Sequence, residues 1–356
     1  MISTIAILLT DITKRAGTER AVVNLANILV SLRYNVFIFS IDSLEGKASY
    51  YLNEKVQIIH LGLKIAESNG LVKLNEYKKL KQKIKRCIKE KEIDCIIGTY
   101  SLFNALLTRI RGIKTIGCEH FNYGSAGMIH RLVRRSFYPY LDAVVVLTEE
   151  DKKHYNFLQN CYVIPNSCSF TTGIKSTWDE KTILAIGRYT KQKGFDLLIE
   201  AASKLKNEFP DWTFCVVGSG EEEQKLRNLI GQHNLNGYVN LLPPTTDVIS
   251  LYKTASIYCM SSRWEGLPMV LIEAQSCGLP IVSFNCPEGP SEIVEDRVNG
   301  FLCEPENSQD LAEKLKILMR NKNLREEFGK KAFESSKRFS TKEVAEKWKR
   351  LLENLK

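Results

Sequence analysis

Ile- and Val-rich runs alternating with amphipathic helical stretches constrain this chain more than any single motif does. In the first half the runs are ISTIAILL (2–9), NVFIFSI (35–41), VQIIHL (56–61), IDCIIG (93–98), IKTIGC (113–118) and DAVVVLT (142–148). Helical patterns fill the gaps, notably at 19–32, 73–91 and 101–110. Near-continuous apolar strands with helices between them predict a parallel sheet covered on both faces. The stretch VIPNSCSF (163–170) breaks the pattern with Pro165 and Asn166. The alternation then restarts with TILAIG (182–187), WTFCVVG (212–218), VNLL (239–242), SIYCMS (256–261) and PIVSF (280–284). A length of 356 residues also exceeds what one hydrophobic core usually serves. The expected architecture is α/β, with two Rossmann-like doubly wound parallel-sheet domains over residues 1–166 and 167–338. The last stretch, STKEVAEKWKRLLENLK (340–356), reads as a helix with Ser340 as its N-cap. Ligands of open parallel sheets bind outside the carboxyl ends of the strands. Two such edges face to face make a central cleft the expected site.

Composition narrows the class. With 44% hydrophobic and 26% charged residues the chain is neither disordered nor fibrous. No apolar run approaches the ~20 residues of a membrane helix. Met1 to Leu9 lacks a basic lead and runs into Asp11, Lys14 and Arg15, so it is expected to be a buried first strand and not a signal peptide. Ten cysteines without a C-x-x-C pair read as reduced core residues of a cytoplasmic protein, not as disulfides or zinc ligands. The charge is uneven: residues 1–165 carry 24 Lys+Arg against 15 Asp+Glu, and residues 166–356 carry 26 of each. The excess concentrates in a basic amphipathic helix over 73–91. A second basic segment spans 127–138, with His130, Arg131, Arg134 and Arg135 among Met128, Ile129, Leu132, Val133 and Phe137. Either alone would be a solvated helix face. Together they point to an anionic surface, and lipid fits better than nucleic acid because no DNA- or RNA-reading pattern is present.

Four segments carry candidate chemistry. In SSRWEGLPMVLIEAQSCGLPIV (261–282) a strand leads into a loop with Glu265 and Gly266, and a helix is expected to begin near Leu267 with Pro268 in its first turn. The free amides of residues 267–270 would then form a phosphate or hydroxyl site. Glu273 lies on a helix that should be largely buried, and a buried carboxylate needs a partner such as a pair of vicinal hydroxyls. In LAIGRYTKQKGFDLLIEA (184–201), Arg188 follows a strand and Lys193 precedes a helix, two cations placed to neutralise a departing diphosphate. His120 in CEHFNYG (118–124) stands just past another strand, and GTERAVVNLANILVSL (17–32) begins a helix with Gly17, Glu19 and Arg20 in its first turn. The G-x-G of VVGSGEEEQKL (216–226) has Glu223 where a third glycine belongs, so an ordinary strand-to-helix turn is expected there. No D-x-D and no G-x-x-x-x-G-K-S/T occurs, which removes the usual metal-binding carboxylate pair and the P-loop.

Taken in order, these segments resemble the retaining glycosyltransferases of family 4 (glycosyl transferases group 1), which have the GT-B fold. The resemblance runs through GRYTKQKGFDLLIEA, VVGSGEEEQKL, SSRWEGLPMVLIEAQSCGLPIV and GPSEIVEDRVNGFLCEPEN, with GTERAVVNLANIL and EHFNYG in the first half. It implies that Arg188 and Lys193 hold the donor diphosphate. Glu265 with the backbone of Gly266, Leu267, Pro268 and Met269 would bind the transferred sugar, and Glu273 the ribose hydroxyls. His120 would hydrogen-bond the sugar, Gly17 would line the pyrophosphate, and the base would lie against backbone near Leu242 and Pro243. The N-terminal domain would bind the acceptor, and the last helix would cross back onto it. No cofactor is implied. CPEGPSEI (286–293) resembles relatives that use UDP-linked hexoses or N-acetylhexosamines, and the basic helices would suit a polyprenyl-diphosphate-linked acceptor in bacterial surface polysaccharide assembly. Such an enzyme would be cytoplasmic, and peripheral on the inner face of the cell membrane. The chain departs from the pattern where Ala16 precedes Gly17 and where Leu241, Leu242 and Pro243 replace Phe-Leu-Gly. A nucleotide-sugar epimerase and a non-catalytic nucleotide-sugar-binding partner are the other readings, and the intact Arg188, Lys193, Glu265 and Glu273 argue against the latter.

Overall fold

A computed structural model describes residues 2–65, 68, 70–108, 110–120, 123, 127–168, 176–287 and 289–355. Phe121, Asn122 and Gly124 of the EHFNYG motif and Glu288 of CPEGPSEI lie outside the described residues. The chain divides into two compact units, Met1–Ser169 with Thr341–Lys356, and Phe170–Ser340.

The first unit is built on β1 (Thr4–Leu9), β2 (Asn35–Ser40), β3 (Gln57–His60), β4 (Cys95–Gly98), β5 (Lys114–Cys118), β6 (Ala143–Val146) and β7 (Cys161–Val163). They form one parallel sheet in the order β3-β2-β1-β4-β5-β6-β7. All six residues of β1 are buried, as a strand covered on both faces requires. The helices are α1 (Gly17–Ser31), α2 (Gly70–Glu90), α3 (Ser101–Leu107), α4 (Met128–Phe137), α5 (Glu149–Lys153) and, from the chain end, α13 (Thr341–Asn354). One face of the sheet packs against Val22, Ile28 and Leu29 of α1 and against Val344, Trp348 and Leu352 of α13. The other packs against Leu80 and Ile84 of α2 and Phe103 and Leu107 of α3. The final helix thus belongs to the first unit, seated by an apolar stripe at 344, 348, 351 and 352, a helical period.

The second unit has β8 (Thr182–Ile186), β9 (Thr213–Val217), β10 (Val239–Leu242), β11 (Ile257–Met260), β12 (Ile281–Phe284) and β13 (Gly300–Cys303), all parallel, in the order β10-β9-β8-β11-β12-β13. Its helices are α6 (Phe195–Leu205), α7 (Glu223–Gln232), α8 (Val248–Lys253), α9 (Met269–Ser276), α10 (Pro290–Ile293), α11 (Ser308–Arg320) and α12 (Lys322–Ser336). In each sheet the strand order reverses direction once, between β1 and β4 and between β8 and β11. Such a switch point opens a crevice at the carboxyl edge, because the connections on its two sides run to opposite faces.

Two corrections concern local reading. The strands β7 and β13 do not appear among the expected runs: each is a short edge strand, β7 running into the Pro165–Asn166 break and β13 opening on Gly300. In α4, Arg134 is not a surface charge. It is 2% exposed and reaches Glu119, at 2.5 Å, while Met128, Ile129 and Leu132 face outward.

Candidate active site

The switch point of the second unit brings together Lys193 and Glu265, two of the residues that the sequence singled out, with Arg188 at the end of the strand before Lys193. β8 ends at Ile186, and Gly187 and Arg188 follow it. A 3-10 turn, Lys191–Lys193, then leads through Gly194 into α6. β11 ends at Met260, and the segment from Ser261 to Pro268 leads into α9. These are the two strands that flank the switch point.

The two segments are bonded together before any ligand arrives. Lys193 Nζ donates to Glu265 Oε1 at 2.6 Å, and Ser262 Oγ donates to the same oxygen at 2.6 Å. The Glu265 side chain is 9% exposed and that of Lys193 17%, so this pair is shielded far more than an ordinary surface ion pair. Arg263 adds a second tie. Its guanidinium takes both carboxylate oxygens of Asp196 at 2.9 and 2.8 Å, the carbonyl of Lys191 at 2.8 Å and Glu306 at 2.8 Å. A fork bound on both prongs fixes orientation as well as distance. The Lys193 stem lies across Gly187, where a methyl group would sit 3.2 Å from its Cγ and Cδ. Arg188, by contrast, is exposed and makes no ion pair among the described residues. An ammonium has three donors. With one on Glu265, Lys193 keeps two for a further anion, and Arg188 keeps all of its own.

The start of α9 differs from expectation. The helix begins at Met269, and Pro268 is its extended N-cap, with ψ 100°. Proline has no amide proton, and the Leu271 N–H is spent on the Pro268 carbonyl. Met269 and Val270 are therefore the first-turn donors that the helix leaves unsatisfied. Gly266 is half-buried and Leu267 is 7% exposed. Glu273, 2% exposed, is held by the hydroxyl of Tyr252, which donates to Oε2 at 2.9 Å. The burial expected of Glu273 is present, but the partner seen is an internal one, Tyr252, 21 positions away in α8, and not the pair of vicinal hydroxyls expected from the sequence.

At the far side of the unit, β10 ends on Leu242, whose carbonyl accepts from the Gly218 N–H and from Tyr189 Oη, both at 2.9 Å. The single Tyr189 hydroxyl proton is shared between this carbonyl and that of Val216, which also lies 2.9 Å from Oη. Pro243 is exposed just beyond it. The G-x-G turn is explained by packing: a methyl group on Gly218 would stand 1.9 Å from the Gly187 carbonyl oxygen.

Gly17 and His120 belong to the first unit. Gly17 opens α1, exposed, with nothing within 4 Å of where a side chain would start. His120 follows β5. Both of its ring nitrogens are buried and without a hydrogen-bond partner, and burial pushes its pKa from 6.5 down to about 4. At neutral pH it is a neutral imidazole, with one nitrogen donating and one accepting. Its backbone is anchored by Glu119, which takes Arg134 and the Tyr138 hydroxyl. The sign of the pH effect follows. The unfolded chain binds this proton at higher pH than the folded chain, so folded-state stability is complete above 6.5 and is lost as pH falls toward about 4. Thermal melts across that window are expected to show the decline, and His120→Gln to flatten it. An identical decline in the variant would remove His120 as its source.

Comparison with known proteins follows the same lines as the geometry. Residues 15–168 match the family described as Glycosyltransferase Family 4, and residues 173–335 match Glycosyl transferases group 1. An uncharacterized glycosyltransferase of Haemophilus influenzae is 35% identical over 354 residues, covering 96% of this chain and 98% of that one. A GalNAc-alpha-(1->4)-GalNAc-alpha-(1->3)-diNAcBac-PP-undecaprenol alpha-1,4-N-acetyl-D-galactosaminyltransferase of Campylobacter jejuni is 29% identical, covering 96% of each chain. Among solved structures, the sucrose-phosphate synthase of Thermosynechococcus elongatus superposes with a TM-score of 0.85 at 17% identity, covering 99% of each chain. At that identity the likeness is one of fold.

Proposed function

Because the chain belongs to the family 4 glycosyltransferases, enzymes of the GT-B fold, we propose that it moves a hexose or N-acetylhexosamine from a UDP-sugar to a lipid-linked saccharide, with retention and without a metal ion, in assembly of a bacterial surface glycan. The observation that carries this reading is the shielded Lys193–Glu265 pair at the switch point, with the uncommitted Arg188 beside it. The acceptor hydroxyl oxygen bonds to the anomeric carbon as the bond from that carbon to the diphosphate breaks. The diphosphate leaves from the same face and takes the hydroxyl proton. Lys193 and Arg188 oppose the charge that grows on it, which is where a fixed cation lowers the barrier. Glu265, already oriented by Ser262 and Lys193, accepts from hydroxyls of the transferred sugar, and Glu273, steadied by Tyr252, from those of the ribose. His120, a neutral imidazole without an internal partner, hydrogen-bonds the sugar. Neither cofactor nor metal enters; metal independence rests on the absence of a D-x-D pair in the sequence.

The name of the Campylobacter relative gives a polyprenyl-diphosphate-linked saccharide as that enzyme's acceptor, and a similar acceptor is proposed here. The test incubates the protein with a panel of UDP-sugars and a polyprenyl-diphosphate saccharide, with and without EDTA. Sugar transfer that EDTA leaves unchanged is the expected result. Interconversion of the UDP-sugar without acceptor would indicate an epimerase, and tight binding without turnover a non-catalytic partner.

Such an acceptor places the enzyme at a membrane surface. Among the described residues no helix is long and apolar enough to cross a membrane. On α4, however, Met128, Ile129 and Leu132 are 77%, 72% and 59% exposed next to Arg131 and Arg135. Apolar side chains beside cations on one helix fit attachment to anionic lipid on the inner face of the cell membrane. Sedimentation with anionic but not with neutral vesicles is expected. Equal binding to both would remove this part of the proposal.

A further inference from the structure

We infer that two buried tyrosines of the second unit, Tyr252 and Tyr258, are positioning residues for the donor: Tyr258 holds open the crevice beside Arg188, and Tyr252 aims Glu273. The inference rests on the transferase reading above and adds to it two residues and a division of labour between them. Both side chains are fully buried, and their rings pack together with centroids 5.8 Å apart. A phenyl ring would fill the same space. A hydroxyl there costs desolvation that only a specific bond offsets.

The crevice has a cause in the pairing of the sheet. β8 stays in register with β9 as far as Ile186, opposite Val217, and β11 with β12 as far as Met260, opposite Ser283. Between β8 and β11 the pairing covers only Ile183 with Ile257 and Leu184 with Tyr258. The sheet therefore splits along one seam, just before Arg188. Tyr258 supplies what the split removes. The Ile186 N–H donates to Tyr258 Oη at 3.2 Å, and that hydroxyl donates to the Ile186 carbonyl at 3.4 Å. Backbone groups left unpaired inside a sheet are costly, so the phenol both wedges the seam and satisfies its edge. Burial pushes the ionisation of Tyr258 far above the usual tyrosine range, which keeps the donating proton in place. Without the hydroxyl, the strand end that carries Arg188 loses its tie across the seam.

Tyr252 does for a carboxylate what Tyr258 does for a strand. Its hydroxyl lies 2.9 Å from Glu273 Oε2 and 3.4 Å from the Val270 carbonyl, and the shorter, charged contact takes the proton. A bond to one oxygen fixes the direction of the carboxylate, so its other lone pairs keep one orientation toward ribose hydroxyls.

Calorimetry on the full chain with UDP, 2′-deoxy-UDP and UMP separates the two roles. The dissociation constant of 2′-deoxy-UDP over that of UDP reads the ribose contact. The same ratio for UMP over UDP reads the grip on the second phosphate. In the wild type both ratios are expected to be about ten or more. Tyr252→Phe should lower the ribose ratio about fivefold and leave the phosphate ratio within about twofold, and Tyr258→Phe should do the reverse. Both substitutions keep the ring, and ratios taken on one sample cancel any unfolded fraction, so lost stability cannot imitate the crossed pattern. A variant whose own ratio stays at the wild-type value, or in which both ratios fall together, overturns the inference. Wild-type ratios near one, or no UDP binding, overturn the donor-site reading and the inference with it.

Discussion

Replacing Lys193 by alanine is expected to reduce kcat for sugar transfer by about 10²–10³-fold while the chain stays folded. The magnitude comes from where the ammonium sits. It lies at the carboxyl edge of β8, 2.6 Å from Glu265 and with two donors to spare, so under the proposed mechanism its loss removes a fixed cation from beside the departing diphosphate. Its loss also frees Glu265 from one of the donors that orient it. The fold should survive because Ser262 still holds the carboxylate at 2.6 Å and the Arg263–Asp196 fork still ties the same two segments. Steady-state kinetics and a thermal melt separate the two effects: a rate collapse with a small shift in Tm supports the assignment. Near-normal turnover would show that the catalytic centre has been misplaced.

Gly194→Ala should act through the fold and reach the same site. Gly194 has φ +61°, a left-handed conformation that suits glycine, and a methyl group there would lie 2.1 Å from the Ser261 carbonyl oxygen. Neither atom can give way easily. The oxygen belongs to the backbone at the end of β11, and Ser261 Oγ is bonded to the Lys193 carbonyl at 3.0 Å. Conformational strain and the overlap together should cost about 3 kcal/mol or more. Relief of the overlap moves the segment carrying Lys193 away from the segment carrying Glu265, so activity should fall further than stability alone explains. Urea unfolding and kinetics on the folded fraction check both parts. A variant as stable and as active as wild type would mean that this close approach is not made in solution.

Much of the fold was legible because its strands are buried on both faces. TIAILL, CIIG and AVVV are buried at every position and, Thr4 apart, carry no polar side chain, a pattern that survives without knowledge of partners. β7 and β13 were not legible: CYV runs straight into the Pro165–Asn166 break, and GFLC opens on a glycine after Asn299. The residue types of the site were legible at the strand ends, where Arg188, Lys193 and Glu265 stand out against apolar runs. Their mutual bonds were not. Lys193 and Glu265 are 72 positions apart, and only the adjacency of β8 and β11 brings them together. The same holds for Tyr252 and Glu273. In α4, charge spacing on a helix cannot tell which arginine faces inward, and the carboxylate of Glu119 beneath it decided that Arg134 does.

The proposed mechanism needs the switch point of the second unit to grip the donor diphosphate. A crystal structure of the protein with UDP tests it most directly. Both phosphates are expected at that edge, with Lys193 Nζ and the Arg188 guanidinium within hydrogen-bonding distance and the ribose hydroxyls on Glu273. Nucleotide bound elsewhere, with residues 188 and 193 turned to solvent, would contradict it.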